Sequence, residues 1–111
     1  MCTRESDSLQ IKVQGHFYQI PLDDMIYLEK ALRKIIVHTK KGDISFYGKF
    51  CEVMPLLDER FVFCHRSYVL NMDEIRSLSS DAIALGNGDV IQYGKKTYLR
   101  LRKAYKGYMK E

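Results

Sequence analysis

Residues 61–71 of the chain read Phe-Val-Phe-Cys-His-Arg-Ser-Tyr-Val-Leu-Asn. Short apolar runs flank the polar triplet His65-Arg66-Ser67, and this pattern predicts two strands joined by a short connection. Three adjacent polar side chains are costly to bury unless they have hydrogen-bond partners. We therefore expect the triplet to lie at the surface and to face a partner outside the protein.

Alternating apolar and polar residues on both sides of this stretch predict further short strands. Glycine-containing turns separate several of them, as is typical of β-hairpins. The predicted hairpins turn at Gly15-His16, at residues 40–43 and at residues 86–89. Two other segments have helical periodicity: a short amphipathic stretch at residues 48–57, which contains Pro55, and a longer one from about Lys95. The chain is therefore predicted to be mainly β, with one internal and one terminal helix.

The length of 111 residues fits a single domain with a modest core. The apolar fraction of 46% and the charged fraction of 29% are ordinary for a globular protein, and no apolar run is long enough for a membrane span. Residues 1–8 lack the apolar core of a signal peptide, so a cytoplasmic location is expected. We predict a tail or linker stub at residues 1–8 and one domain over residues 9–111.

Basic residues are concentrated at the C-terminus. Residues 94–111 carry seven basic side chains and one acidic one, whereas the other 93 residues carry 11 basic and 13 acidic side chains. A basic pole on a slightly acidic body suits a polyanion such as nucleic acid or an anionic membrane surface. The alternative is that these charges form the solvated face of a terminal helix.

Catalytic and metal sites have little support in the sequence. Cys64 and His65 are adjacent, but neighbouring side chains on a strand point to opposite faces. The acidic pairs Asp23-Asp24 and Asp73-Glu74 are typical of turns and helix caps. Neither the histidines nor the three cysteines have the spacing of metal ligands, so we predict free thiols, no metal, no cofactor and no enzymatic activity.

Basic side chains also fall in the predicted connections between elements. The three basic segments are Arg33-Lys34, the triplet His65-Arg66-Ser67, and Lys95-Lys96 ahead of the terminal helix. Arginine can contact guanine through two hydrogen bonds, whereas serine, lysine and backbone N–H groups usually hold phosphates. Although each segment alone could be a solvated turn, the three together favour double-stranded DNA as the partner.

These residues resemble a known family, the LytTR DNA-binding domain of bacterial LytR/AlgR/AgrA-type response regulators. The resemblance extends from Leu9 to about Lys106 and is most specific in Phe61-x-x-Cys64-His65-Arg66-Ser67-Tyr68-Val69-x-Asn71. The Phe46-Tyr47-Gly48 segment and the Cys-His pair are most similar to the AgrA/ComE-like branch. The resemblance implies about ten strands in three small sheets, stacked into an elongated body.

The resemblance also implies a mode of binding, in which loops enter successive major grooves on one side of a bent duplex, usually at direct repeats. The implied base-contacting candidates are Arg33, Lys34, Arg66 and Lys96, and the implied phosphate-contacting candidates are Lys49, His65, Ser67 and Lys95. Tyr68 and Asn71 are expected to hold the exit of the triplet structurally. A receiver domain N-terminal to this segment and a dimer on DNA are further expected partners.

The chain departs from the family pattern at two places. Gly94-Lys95-Lys96 stands where many members have Ser-Arg, and lysine contacts guanine less rigidly than arginine does. The late strand Val90-Ile91-Gln92 offers no cysteine to pair with Cys64, so a disulfide switch of that kind is not expected. Two other functions stay open: a non-specific polyanion- or RNA-binding module, and a protein-interaction adaptor that uses the terminal helix.

Overall fold

Antiparallel β-strands form about half of the chain in the computed structural model, which describes residues 2–5, 7–65 and 67–110. The eleven strands found in these residues are β1 (Cys2–Glu5), β2 (Ser8–Val13), β3 (His16–Pro21), β4 (Met25–Ala31), β5 (Lys34–Thr39), β6 (Gly42–Tyr47), β7 (Phe61–His65), β8 (Tyr68–Asn71), β9 (Ile75–Leu78), β10 (Ala82–Leu85) and β11 (Val90–Gln92). Arg66, the middle residue of the triplet, lies outside the described residues.

The strands form three sheets. The first has the order β1-β2-β3, the central one β6-β5-β4-β8-β7, and the third β11-β10-β9. The principal extents of the molecule are 42, 31 and 24 Å, so the body is elongated. The predictions of a mainly β fold, three small sheets and about ten strands are therefore confirmed.

Two hydrophobic cores lie against opposite faces of the central sheet. On β8, Val69 packs into the core shared with the first sheet and α1, while the next residue, Leu70, packs into the core shared with the third sheet. Successive strand residues point to opposite faces, so one short strand serves both cores. Tyr27 also joins the central sheet to the third one, because its hydroxyl donates to Asp89 Oδ2 at 2.8 Å. The central sheet is thus a rigid support for the loops at its ends.

The two α-helices differ in length. Helix α1 (Phe50–Val53) has one turn and continues as a 3₁₀ turn at Met54–Leu56, whereas α2 (Lys95–Met109) has fifteen residues. The α-helix predicted within residues 48–57 ends early, because Pro55 has no N–H for a helical hydrogen bond. Neither of these helices is long and apolar enough to cross a membrane, as far as the described residues go.

The N-terminal residues differ from the expected loose tail. Residues Cys2–Glu5 form β1, which pairs with β2 over four residues. Cys2 packs against the core between the first and central sheets, and Arg4 Nη1 donates to the carbonyl of Leu56 at 3.0 Å. A stretch of four residues is too short for its apolar and polar pattern to predict a strand, and β1 is held in place by its pairing with β2. The domain boundary near residue 8 stays a prediction.

Candidate nucleic-acid interface

The turn between β4 and β5 carries the first basic segment. Ala31 pairs with Lys34, so Leu32 and Arg33 form a two-residue turn between the two strands. Arg33 and Lys34 are both exposed, and the Lys34 ammonium lies 5.1 Å from the centre of the Tyr47 ring on β6. This turn therefore displays two cations at one end of the central sheet.

Lys49 lies beside that turn. The N–H of Gly48 donates to the carbonyl of Arg33 at 3.2 Å, which holds the start of α1 next to the β4–β5 turn. The backbone N–H of Lys49 donates to Glu52 Oε1 at 3.0 Å, so the first turn of α1 is capped from within while the lysine side chain is exposed. A surface cavity of about 440 Å³ is lined in part by Leu32, Arg33 and Lys49. The structure thus brings Arg33, Lys34 and Lys49 together.

The triplet connects β7 to β8 and is attached to the same end of β4. His65 is half-buried, its ring lies edge-on to Tyr68 with 4.8 Å between centroids, and its Nδ1 accepts from the N–H of Ser67 at 3.2 Å. The carbonyl of Ser67 in turn accepts from the N–H of Lys30 at 2.8 Å. Since Lys30 is two residues before Leu32, the triplet and the β4–β5 turn are neighbours.

Asn71 holds the exit of the triplet. Asn71 is 1% exposed, and it is the one buried polar residue in the part of the chain that the structure describes. Its Nδ2 donates to the carbonyl of Met25 at 2.8 Å, and its Oδ1 accepts from the N–H of Asp73 at 2.9 Å. Asn71 therefore ties the end of β8 to the start of β4, and the expected structural role of this residue is confirmed.

Helix α2 reaches the triplet through Arg100. A register shift between Phe63 and His65 leaves Cys64 opposite no residue of β8, so β7 has a bulge at that position. The Arg100 guanidinium of α2 donates to the carbonyl of Cys64. A side chain from the terminal helix thus satisfies a backbone carbonyl at the bulge that directly precedes the triplet.

Lys95 and Lys96 lie on α2 itself and not in the loop before it, where the sequence placed them. They are the first two residues of the helix, and both are exposed. Because Gly94 before them has no side chain to cap the helix, the first N–H groups and the positive end of the helix dipole add to the lysine charges. Lys96 precedes Arg100 by four residues, about one helical turn, and so shares the helix face that contacts the triplet.

The acidic pairs Asp23-Asp24 and Asp73-Glu74 lie in 3₁₀ turns, as their expected turn-forming role requires, and some of these side chains also have partners within the protein. Asp23 and Asp58 both bind the guanidinium of Arg60, and Asp73 accepts from the hydroxyl of Tyr108 at 2.6 Å. This bond is the main cause that raises the pKa of Tyr108 to about 12. Among the described residues, no group of three or more acidic, histidine or cysteine side chains could hold a metal ion.

Cys64 is a core residue without the properties of a nucleophile. It is fully buried against the third sheet, and burial raises its pKa to about 11, although the Arg100 charge acts in the opposite direction. Its thiol is therefore protonated at neutral pH, and the thiolate is the reactive form. Cys51 is exposed at α1.

These two cysteines predict different rates of alkylation. In folded protein at pH 7.5, iodoacetamide is expected to modify Cys51 readily and to leave Cys64 unmodified until denaturant is added, as peptide mass spectrometry would measure. Between about pH 9, where a thiol ordinarily ionises, and about pH 11, the pKa of the buried Cys64, the thiol is ionised in the unfolded chain but not in the folded one, so stability falls as the pH rises through this range. Rapid labelling of Cys64 in folded protein at neutral pH would contradict this assignment.

Replacing Arg100 tests the link between α2 and the triplet. Arg100→Met keeps an unbranched apolar stem but leaves the Cys64 carbonyl without its donor, so the free energy of unfolding is expected to fall by about 0.5–1.5 kcal/mol. DNA affinity is expected to fall as well, with an unchanged dependence on salt, because Arg100 is bound to the protein itself. Arg102→Met, an exposed site on the same helix, is the matched control. If the slope of log affinity against log salt concentration instead becomes shallower by about one in Arg100→Met, Arg100 is a phosphate contact.

Three neighbours of these segments were not identified from the sequence: Leu32, Tyr47 and Arg100. Leu32 and Tyr47 are 94% and 73% exposed, although apolar and aromatic residues in strand patterns are usually assigned to the core. The useful signal for Leu32 was an apolar side chain inside a basic turn. No local signal marks Arg100, because its partner is a backbone carbonyl 36 residues away in the chain.

The fold and these segments define a class of protein. A β-scaffold that displays exposed basic side chains on a turn and at a helix start, next to a polar triplet, is typical of a nucleic-acid-binding domain. The family model of the LytTr DNA-binding domain matches residues 15–106. The chain belongs to the LytTR family of DNA-binding domains, which is not a family of enzymes.

Relatives and a solved structure agree with this assignment. The chain is 33% identical over 76 residues to accessory gene regulator protein A of Staphylococcus epidermidis, and 30% identical over 76 residues to the protein of that name from Staphylococcus aureus. Each match covers 67% of this chain and 32% of the relative, so the chain spans about a third of the length of these relatives. Similarity to the AgrA-like branch is thereby confirmed.

The fold is shared with the LytTr DNA-binding domain of a Bacillus cereus protein described as a methyl-accepting/DNA response regulator. The TM-score is 0.76, the identity is 21%, and the match covers 90% of this chain and 97% of the other. At this identity the likeness concerns the fold alone.

Proposed function

We propose that the chain binds specific sequences in double-stranded DNA and thereby regulates transcription as the effector part of a bacterial response regulator. The observation that carries this proposal is the connection of its three basic segments. The Lys30–Ser67 hydrogen bond joins the β4–β5 turn to the triplet, and the Arg100–Cys64 contact joins the triplet to α2. The exposed side chains of Arg33, Lys34, Lys95 and Lys96, which could each belong to a separate solvated turn, are thus carried by elements that are bonded to the same β7–β8 connection.

The proposed roles follow from the chemistry of each side chain. Arginine forms paired hydrogen bonds with the major-groove edge of guanine, so Arg33 and Arg66 are proposed to contact bases. Lys34 and Lys96 are proposed to do so less rigidly. The proposed phosphate contacts are Lys49, His65, Ser67 and Lys95. Lys95 has the additional support of the N–H groups at the start of α2.

The dimensions of the body are compatible with more than one contact to the duplex. Its longest extent is 42 Å, and successive major grooves on one side of B-DNA are about 34 Å apart. We propose that the loops enter successive major grooves of bent DNA and that copies of the chain bind side by side on direct repeats. A receiver domain N-terminal to this segment and a cytoplasmic location belong to the same proposal.

Non-specific binding of nucleic acid is the second candidate. Of the eight tyrosines, Tyr27 is the one that is buried, whereas Tyr18 and Tyr47 are exposed. Tyr47 beside Lys34 is the kind of aromatic and cationic pair on which single-stranded bases stack. A protein-interaction adaptor has support from Leu99 and Met109, which α2 exposes.

Selection of bound duplexes from a random DNA pool at near-physiological salt separates these functions. Sequence-specific binding predicts enrichment of a short, repeated motif, which then serves as the operator. The selection is repeated with a version of the chain that is fused to a dimerising coiled coil. If both proteins bind DNA in a salt-sensitive way but neither enriches a motif, specific recognition is contradicted and the second candidate is favoured. Absence of any DNA binding would favour the adaptor.

A further inference from the structure

Leu32 occupies a position that contributes little to folding. Its side chain is 94% exposed, the highest value among the exposed large hydrophobic residues. Its φ angle is +58°, a left-handed conformation in which a bulky side chain is an outlier and which glycine adopts without strain. Single exposed leucines are ordinary on protein surfaces. A leucine that is both fully exposed and unfavourable for its backbone is an outlier that points to a function.

The surroundings of Leu32 are cationic. Arg33 is the other residue of the turn, and Lys34 and Lys49 are exposed beside it. Leu32, Arg33, Lys34 and Tyr47 line a shallow cavity of about 410 Å³, so an apolar surface lies within a cluster of positive charges. A partner attracted to this cluster must be anionic and must also present an apolar group to Leu32.

Double-stranded DNA meets both requirements at one place. Phosphates supply the negative charge, and among the base-pair edges in the major groove, thymine alone carries an apolar group, its 5-methyl. We infer that Leu32 is a specificity-determining residue whose side chain contacts the 5-methyl group of a thymine next to the base contacted by Arg33. This inference rests on the proposed sequence-specific binding and extends it to one chemical group of one base.

A double-mutant cycle between protein and DNA tests this contact. The operator obtained by selection is prepared with each thymine replaced in turn by deoxyuridine, which removes the methyl group alone. For the wild-type protein, one thymine position is expected to lose about fourfold in affinity, the value of one buried methyl group. For Leu32→Gly, the same replacement is expected to have no effect, while the other thymine positions respond as in the wild type.

The variants are chosen so that folding is not the cause of the result. Glycine and asparagine both tolerate the left-handed conformation, so Leu32→Gly and Leu32→Asn are expected to fold, as circular dichroism would verify. Asparagine keeps a Cβ but is polar. Leu32→Asn is therefore expected to abolish the loss of affinity on replacing the thymine with deoxyuridine (the methyl effect), as Leu32→Gly does. Met109→Ala, which removes an apolar side chain that is 61% exposed at the far end of α2, is the matched control and is expected to keep it.

Two outcomes would overturn the inference while leaving the proposed function intact. One is an enriched operator in which every thymine tolerates deoxyuridine. The other is a methyl effect that persists at full size in Leu32→Gly and Leu32→Asn. Failure to enrich any sequence would contradict the proposed function itself, and the contact of Leu32 with thymine would be rejected with it.

Discussion

Replacing Arg66 with alanine is expected to lower the discrimination between the operator and bulk DNA by about 1–3 kcal/mol, or roughly 5- to 150-fold. The physical reason is that the contact proposed for Arg66 is a pair of hydrogen bonds to the major-groove edge of one guanine, and no other base presents the same two acceptors there. Residues on both sides of Arg66 are anchored, His65 by the edge-on contact with Tyr68 and Ser67 by the bond from Lys30. Competition binding with operator and scrambled duplexes at fixed salt measures the discrimination.

Two control variants separate base contact from charge. Lys49→Ala is expected to weaken the binding of all duplexes alike. It is also expected to reduce the slope of log affinity against log salt concentration by about one, as loss of a phosphate contact does. Arg76→Ala removes an equal charge from an exposed position on β9 and is expected to change neither quantity appreciably. An Arg66→Ala variant that weakens operator and scrambled DNA by the same factor would show that Arg66 contacts the DNA backbone.

Replacing Asn71 with alanine is expected to lower the free energy of unfolding by about 2–4 kcal/mol. Its Nδ2 satisfies the buried Met25 carbonyl, which costs about 1–3 kcal/mol if it is left without a partner, and its Oδ1 caps the next 3₁₀ turn through the part-buried Asp73 N–H, which contributes about 1 kcal/mol. A single domain has a total stability of about 5–15 kcal/mol, so this variant loses a large part of it. Urea unfolding followed by circular dichroism measures the change.

Asn87→Ala is a closely matched control. Asn87 also accepts from the N–H two residues later, that of Asp89, at 3.0 Å, and its Nδ2 donates to Asp89 Oδ2 at 2.9 Å. It is exposed in the turn between β10 and β11, where water can replace these bonds, so we expect a change of no more than about 0.5 kcal/mol. Equal losses in the two variants would mean that burial of Asn71 is not the cause of its effect.

Local patterns were sufficient for much of the candidate interface. Alternation of apolar and polar residues predicted the hairpins, and charged or polar residues between apolar runs marked the β4–β5 turn and the triplet. The change to a helical period at about Lys95 predicted the start of α2, although Lys95-Lys96 had been assigned to the loop that opens the helix. Residues Cys2–Glu5 were not recognised as a strand, since four residues owe their conformation to the pairing with β2.

By itself the sequence determined which residues form short strands and which polar and basic side chains interrupt them, because these properties depend on neighbours in the chain. The tertiary structure alone decided that the triplet joins the β4–β5 turn through Lys30 and α2 through Arg100. Both bonds end on backbone carbonyls of residues 36 or 37 positions away, and every residue has such a carbonyl whatever its side chain. The exposure of Leu32 was decided in the same way, because its place in a basic turn did not specify the backbone conformation that points its side chain toward solvent.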